Sequence, residues 1–218
     1  MSASAAALPA PGRRFDRHVF LHWFGLACLM GAAFFAGYVA WALWGTGLET
    51  QRAQNTLRGQ IEREFGHPKP LSEAPKPGTR QLPGSAYAAI VIPSIGLDMI
   101  VVEGTGYQDL KEGPGHYPDT ADPWEETGRV AIAGHRTTYL APFNDLGELL
   151  SGDTIELLTP YGTFAYEVTR NYVIPAEGSG VVLEQTTKPT LVLTTCNPKF
   201  ASYQRLIVEA ELVDAPTG

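Results

Sequence analysis

Thr190-Leu191-Val192-Leu193-Thr194-Thr195-Cys196-Asn197-Pro198-Lys199 is the stretch on which the reading of this chain turns. Its β-branched and leucine-rich first half reads as a strand ending near Cys196. Asn197-Pro198-Lys199 reads as a turn, and Gln204–Leu212 as the returning strand. In such a hairpin Cys196 and Arg205 can sit beside each other near its open end. The chain has 2 cysteines, and the other, Cys28, lies inside an apolar run that looks membrane-spanning, so the two cannot pair within one chain. An odd thiol in a chain bound for an oxidising compartment points to a reactive cysteine or to intermolecular pairing. The plain alternative is a strand cysteine that simply packs.

Outward from that hairpin the same kind of segment recurs. Ala88–Ile92, Met99–Glu103, Arg129–Ala133, Thr154–Leu158 and Thr163–Arg170 are short β-like runs, punctuated by Gly113-Pro114-Gly115 and by Gly178-Ser179-Gly180. Many short strands and few helix-like stretches predict an all-β barrel or sandwich over residues 85–218, with one or two short helices. The best helix candidate there is Ala141–Leu150, where Phe143, Leu146, Leu149 and Leu150 can share a face.

Upstream, Val19–Trp44 contains no charged residue. As a helix it rises roughly 39 Å, enough to cross a bilayer core. Trp23 near one end and Trp41 and Trp44 near the other suit the two interfaces. The run is too long and too aromatic at its far end for a cleaved signal peptide. Arg13, Arg14 and Arg17 precede it, so residues 1–18 are expected in the cytoplasm, residues 19–44 in the membrane and the rest outside. Residues 45–84 form the expected stalk. Leu57, Ile61 and Phe65 recur at helical spacing, and Pro68, Pro70, Pro75, Pro77 and Pro83 then favour an extended spacer holding the domain off the membrane.

Residues 85–218 carry 7 Lys and Arg against 18 Asp and Glu, a net charge of −11. That argues against nucleic acid or an anionic lipid surface as the domain's partner. A nucleophilic thiol needs to ionise, and its reaction needs a proton donor and a charge partner for the developing oxyanion. Arg205 is one candidate partner, its bland alternative being an arginine that begins a strand on a solvated face. Of the 5 histidines, His18 and His22 belong to the membrane end and His67 to the linker. His135 follows the apparent core strand Val130-Ala131-Ile132-Ala133-Gly134, with Gly134 permitting a sharp turn. His116 lies in Gly113-Pro114-Gly115-His116-Tyr117-Pro118, where a structural or pocket-lining role is the simpler reading.

Ala133-Gly134-His135-Arg136-Thr137-Thr138, Ala141-Pro142-Phe143 and Leu193-Thr194-Thr195-Cys196 with Arg205 nine residues on resemble the signature blocks of sortases. Ile92-Pro93-Ser94-Ile95-Gly96-Leu97, Val102-Glu103-Gly104-Thr105 and the segment around His116 are similar to further sortase stretches, so the resemblance covers nearly all of 88–213. It is closest to class E, the housekeeping-like group. The resemblance implies an eight-stranded sortase-type β-barrel behind an N-terminal transmembrane helix. It implies a cysteine transpeptidase that cleaves a C-terminal sorting signal, of LPxTG type in general and LAxTG type for class E, between Thr and Gly. Cys196 would attack the threonine carbonyl, His135 would protonate the leaving amine, and Arg205 would hold the substrate and its oxyanion. Thr195, Tyr139 and His116 are the expected substrate-binding residues. The expected partners are surface proteins bearing the signal and an amine of a peptidoglycan precursor or another protein. Neither metal nor organic cofactor is required by this chemistry; no carboxylate cluster marks a calcium site, and the scattered acids Glu103, Asp109 and Glu112 leave one open. Asp122-Pro123-Trp124 resembles the lid motif of pilus-building sortases but sits inside the domain, and is read as an ordinary loop. An L,D-transpeptidase would need His and Gly just before the cysteine and Arg soon after it, which Thr194-Thr195-Cys196-Asn197 does not supply. A non-catalytic adhesion or scaffold domain would be expected to lack one of Cys196, His135 and Arg205; all three are present.

Overall fold

A computed structural model of the chain describes residues 17–41, 45–65, 67–79 and 82–216, with Glu64 and Phe65 described in backbone only. Two compact units are present, Met1–Trp41 and Ala42–Gly218. In the first, helix α1 (Arg17–Ala40) buries none of its side chains and is long and apolar enough to cross a membrane. The expected cytoplasmic tail up to residue 16 and the interfacial Trp44 lie outside the described residues.

The second unit is a closed barrel of eight strands: β1 (Ala86–Ile92), β2 (Leu97–Glu103), β3 (Gly115–His116), β4 (Gly128–Ala133), β5 (Thr154–Thr159), β6 (Gly162–Pro175), β7 (Pro189–Asn197) and β8 (Gln204–Asp214). They are ordered β1-β2-β3-β4-β7-β8-β6-β5 around the wall, β5 closing back on β1. Seven follow the β-like runs of the sequence. The eighth, β3, is two residues long and lies between prolines, too short for any periodicity to register.

Strands β4, β7 and β8 show why the hairpin stretch has no polar alternation. Val130, Ile132, Leu191, Leu193, Leu206 and Val208 fill the barrel interior. On the outer side Ala131, Val192 and Ile207 are covered by Val182, from the turn at Ser179–Leu183. Strands buried on both faces read as continuous apolar runs. The expected helix over 141–150 is corrected to a single 3₁₀ turn, Leu146–Glu148. Phe143, Leu146 and Leu149 do share a buried face, but Ala141 takes a left-handed backbone (φ 47°) and Pro142 and Gly147 further discourage a regular helix.

The expected stalk is also revised. Helix α2 (Thr46–Phe65) lies on the barrel, with Leu57 and Ile61 buried against Ala89, Ile100 and Val102. Gln54 serves as a surrogate strand residue. Its Nε2 donates to the carbonyls of Ile100 and Glu112 (both 2.8 Å), and its Oε1 accepts the Ile100 N–H (2.7 Å). This completes the β2 edge where β3 is too short to reach. Gly113 permits that approach, since a Cβ there would collide with the Gln54 amide and lie 2.8 Å from the Ile100 carbonyl oxygen. The proline-rich segment is seated as well: Lys69 N–H donates to Pro160 O (2.9 Å) and Trp124 Nε1 to Pro75 O (3.1 Å). Trp124 of the Asp122-Pro123-Trp124 loop thus fastens the linker to the barrel.

Candidate active site

The register of three neighbouring strands assembles the site. β4 and β7 run parallel, with Ala133 opposite Thr194. His135 and Cys196 are therefore each two residues beyond the same rung of the ladder, at the same end of the barrel. β7 and β8 run antiparallel, with Cys196 directly opposite Arg205. Paired residues in such a ladder have Cα atoms about 4.5–5.5 Å apart. The ends of β4, β7 and β8 thus bring together the three residues that the sequence singled out.

The backbone around His135 is held from both sides. Gly134 N–H donates to Thr194 O (3.1 Å), and Thr195 Oγ1 donates to Gly134 O (2.7 Å). Gly134 is needed for space: a Cβ there would lie 2.6 Å from the Phe143 ring. Phe143 N–H in turn donates to the His135 carbonyl (3.0 Å). Burial pushes the His135 ring below its usual pKa, favouring neutral imidazole at neutral pH. Its Nε2 is buried with no hydrogen-bond partner among the described residues. Unsatisfied buried polar atoms are uncommon and costly, and a reacting group is one standard reason for them.

His135, Arg136, Thr137 and the free thiol of Cys196 line an open cleft of about 360 Å³, closed on its other side by Phe200, Ala201 and Ser202. Arg205 folds back on the β7–β8 loop, its Nη1 donating to the carbonyls of Ser202 (2.8 Å) and Gln204 (3.0 Å). The guanidinium has three further N–H donors on Nε and Nη2. Arg205 also lines a narrow cavity of about 50 Å³ with Tyr117, Thr194 and Val182.

The expected substrate-binding residues divide. The Tyr139 ring packs beside the His135 ring (centroids 4.9 Å apart), and its hydroxyl is 3.3 Å from that of Tyr107. It begins three successive left-handed residues, Tyr139, Leu140 and Ala141 (φ 54°, 61° and 47°). Such a conformation costs a non-glycine residue about 1–2 kcal/mol, so the loop beside His135 is strained. Thr195, by contrast, is 3% exposed and commits its hydroxyl to Gly134. It is a clamp behind the site rather than part of its wall. His116 is corrected outright: it is 2% exposed, with Nδ1 2.9 Å from Glu103 Oε2 and Nε2 3.1 Å from Thr120 Oγ1. Its ring stacks on Tyr87 at 4.1 Å. With both nitrogens engaged in the barrel wall it offers nothing to a ligand.

The sortase-domain family profile matches residues 90–213, which carry all three of these residues. The chain belongs to the sortase family. Sortases are cysteine transpeptidases, and the closed eight-strand barrel is the fold of that family. Among relatives, Sortase D of Bacillus subtilis (strain 168) is 33% identical over 167 residues, spanning 75% of this chain and 82% of that one. Among solved structures, the Sortase D5 transpeptidase of Clostridium perfringens superposes with a TM-score of 0.64 at 26% identity, covering 75% of this chain and 99% of that one. Sortase E1 of Streptomyces coelicolor, solved with a tripeptide in its active site, gives a TM-score of 0.56 at 31% identity and covers 62% of this chain and 91% of that one.

Sequence reasoning missed two polar groups that the fold makes prominent. Arg136 reaches across to the end of β7, and Gln54 completes the β2 edge. Arg136 had one available signal, its place directly after His135. Gln54 had none, because a glutamine in a charged amphipathic helix looks like every other solvent-facing residue.

Proposed function

We propose that this sortase cleaves a C-terminal LAxTG- or LPxTG-type sorting signal between Thr and Gly and transfers the protein to an amine of the cell wall. The observation that carries this reading is the pairing of Cys196 with Arg205 across the β7–β8 ladder, beside a cleft that His135 also lines. The Cys196 thiol gives its proton to His135, neutral and unpartnered at Nε2, and the thiolate attacks the threonine carbonyl. Donors on Arg205 face the resulting oxyanion. The imidazolium then protonates the departing glycine amine, leaving a thioacyl-enzyme. An incoming amine gives up its proton to His135 as it attacks, which releases the product and restores the thiol. Proton transfer and oxyanion stabilisation of this kind contribute on the order of 10²–10³-fold each.

Helix α1 is read as the anchor, with its N-terminus cytoplasmic and the barrel outside, where the substrates are surface proteins bearing the signal. The class E sequence blocks and the likeness to sortase E1 favour LAxTG. The test is peptide cleavage by residues 42–218, with LAxTG and LPxTG peptides in competition and triglycine as acceptor. Release of the glycine-led fragment with transfer of the threonine end onto triglycine, lost in Cys196→Ala, supports the reading. The faster peptide defines the signal. Failure of both peptides with the folded wild-type domain contradicts it and returns the scaffold reading.

A further inference from the structure

Beyond the rung Ala133–Thr194 the β4 and β7 backbones separate, and little holds their ends in step. One backbone bond remains, from Gly134 N–H to Thr194 O, and the Thr195 hydroxyl adds a second tie to Gly134. Both stop one residue short of His135. The next crossing is made by Arg136. Its Nη1 donates to the Cys196 carbonyl (3.2 Å) and to Asn197 Oδ1. Asn197 passes the contact on, its Nδ2 donating to Gln204 Oε1 (2.8 Å), on the residue just before Arg205. The other end of the guanidinium packs by Gly147, whose added Cβ would lie 3.4 Å from Nη2. The Nε is buried with no partner among the described residues. One planar cation thus touches the segment after β4, the end of β7 and, through Asn197, the start of β8.

We propose that Arg136 is a positioning residue for the transpeptidation reaction, its guanidinium fixing the distance between Cys196 and His135 and, through Asn197 and Gln204, the placement of Arg205. The proposal rests on the catalytic reading above. Its physical content is that His135 Nε2 has no hydrogen-bond partner among the described residues, so the imidazole–thiol geometry is inherited from the strand ends. Charge-assisted donors to a carbonyl and an amide oxygen are shorter and stronger than neutral ones. Both acceptors are held by the two N–H groups of the single Nη1, which lie fixed in the guanidinium plane, a directional constraint that a freely rotating ammonium lacks. Misplacement of reacting groups by about 1 Å can cost on the order of 10²-fold in rate.

The experiment compares the full chain in detergent with Arg136→Gln, Arg136→Lys, Asn197→Ala and the Arg136→Gln/Asn197→Ala double variant. Arg136→Gln is expected to lower kcat about 10- to 100-fold with KM for the signal peptide within about twofold. Arg136→Lys should recover only part of the loss. Asn197→Ala, which cuts the same tie from the other end and leaves the arginine in place, should lower kcat about 10-fold, and the double variant should fall well short of the product of the two losses. Unchanged kcat in Arg136→Gln, a raised KM at constant kcat, or multiplicative losses overturns the proposal. Alkylation of Cys196 by iodoacetamide supplies a peptide-free readout, expected to slow about threefold or more in Arg136→Gln at neutral pH. Equal alkylation rates also overturn it. A wild type that alkylates normally but cleaves no peptide overturns the sorting reading instead, and the alkylation comparison still decides the role of Arg136. If Arg136→Gln does not fold, Asn197→Ala and Arg136→Lys carry the test.

Discussion

Two polar side chains, the buried Gln54 and the half-buried His135, show how differently the two regions of this barrel are built. Under α2, Gln54 uses both ends of its amide, pairing with the Ile100 N–H and with the Ile100 and Glu112 carbonyls. Where β4 and β7 end and β8 begins, His135 Nε2 and Arg136 Nε are buried without partners among the described residues. The first region is finished as a structure, and the second leaves polar atoms open, as the proposed reaction requires. A buried polar group that is paired stabilises by about 1 kcal/mol, whereas one left unpaired costs about 1–3 kcal/mol. The site therefore stores a deficit that a substrate or a proton can relieve.

That contrast makes opposite substitution patterns at the two places. His135→Asn is expected to give the largest effect, a loss of peptide cleavage on the order of 10²–10⁴-fold, with thermal stability unchanged or raised. A large fall in Tm would mean that His135 is structural and would erase the distinction. Leu57→Ala, in α2, should instead lower stability by about 2–4 kcal/mol in a denaturant titration, and Gln54→Ala by about 2–3 kcal/mol by stranding the Ile100 and Glu112 backbone groups. Cleavage by the folded fraction of both should stay within about twofold of wild type. A rate loss as large as that of His135→Asn would show the α2 face to be part of the site.

A smaller effect concerns the buried network around His116, where Tyr87 donates to Asp122 Oδ1 at 2.8 Å. Burial raises the Asp122 carboxyl to about 6, against opposing contributions from Tyr87 and His116. The folded chain then holds a proton on Asp122 that the unfolded chain has released, over the window between about 4 and 6. Stability from this group is greatest below that window and is lost as pH rises through 6, by on the order of 2 kcal/mol. Asp122→Asn should flatten that part of the Tm-against-pH curve; an unaltered slope assigns the dependence elsewhere. The smallest effect is expected from Tyr139→Phe. It removes the hydroxyl that meets Tyr107 but keeps the ring beside His135, and the ratio of LAxTG to LPxTG cleavage reads whether that hydroxyl selects the signal.

The barrel and the placing of Cys196, His135 and Arg205 at neighbouring strand ends were legible because they depend on strands and on register. The apolar runs of β4, β7 and β8 mark strands buried on both faces, and a hairpin from Cys196 to Arg205 fixes their pairing. What escaped depends on contacts between segments distant in sequence. The Phe143, Leu146 and Leu149 spacing correctly marks a buried face but not a helix, because the left-handed backbone at Tyr139–Ala141 breaks it at its start. Leu57 and Ile61 announce a helix, yet two apolar residues do not reveal that it is part of the barrel unit rather than a free stalk. His116 looked like a groove residue until the fold placed Glu103, Thr120 and Tyr87 around it.

The most direct test is intact-mass spectrometry of residues 42–218 mixed with an LAxTG peptide and no amine acceptor. The expected result is an added mass equal to the peptide up to its threonine, mapped to Cys196 and discharged on adding triglycine. A folded domain whose Cys196 alkylates readily, yet which carries no such adduct and leaves the peptide intact, would contradict the assignment of these strand ends as an acyl-transfer site.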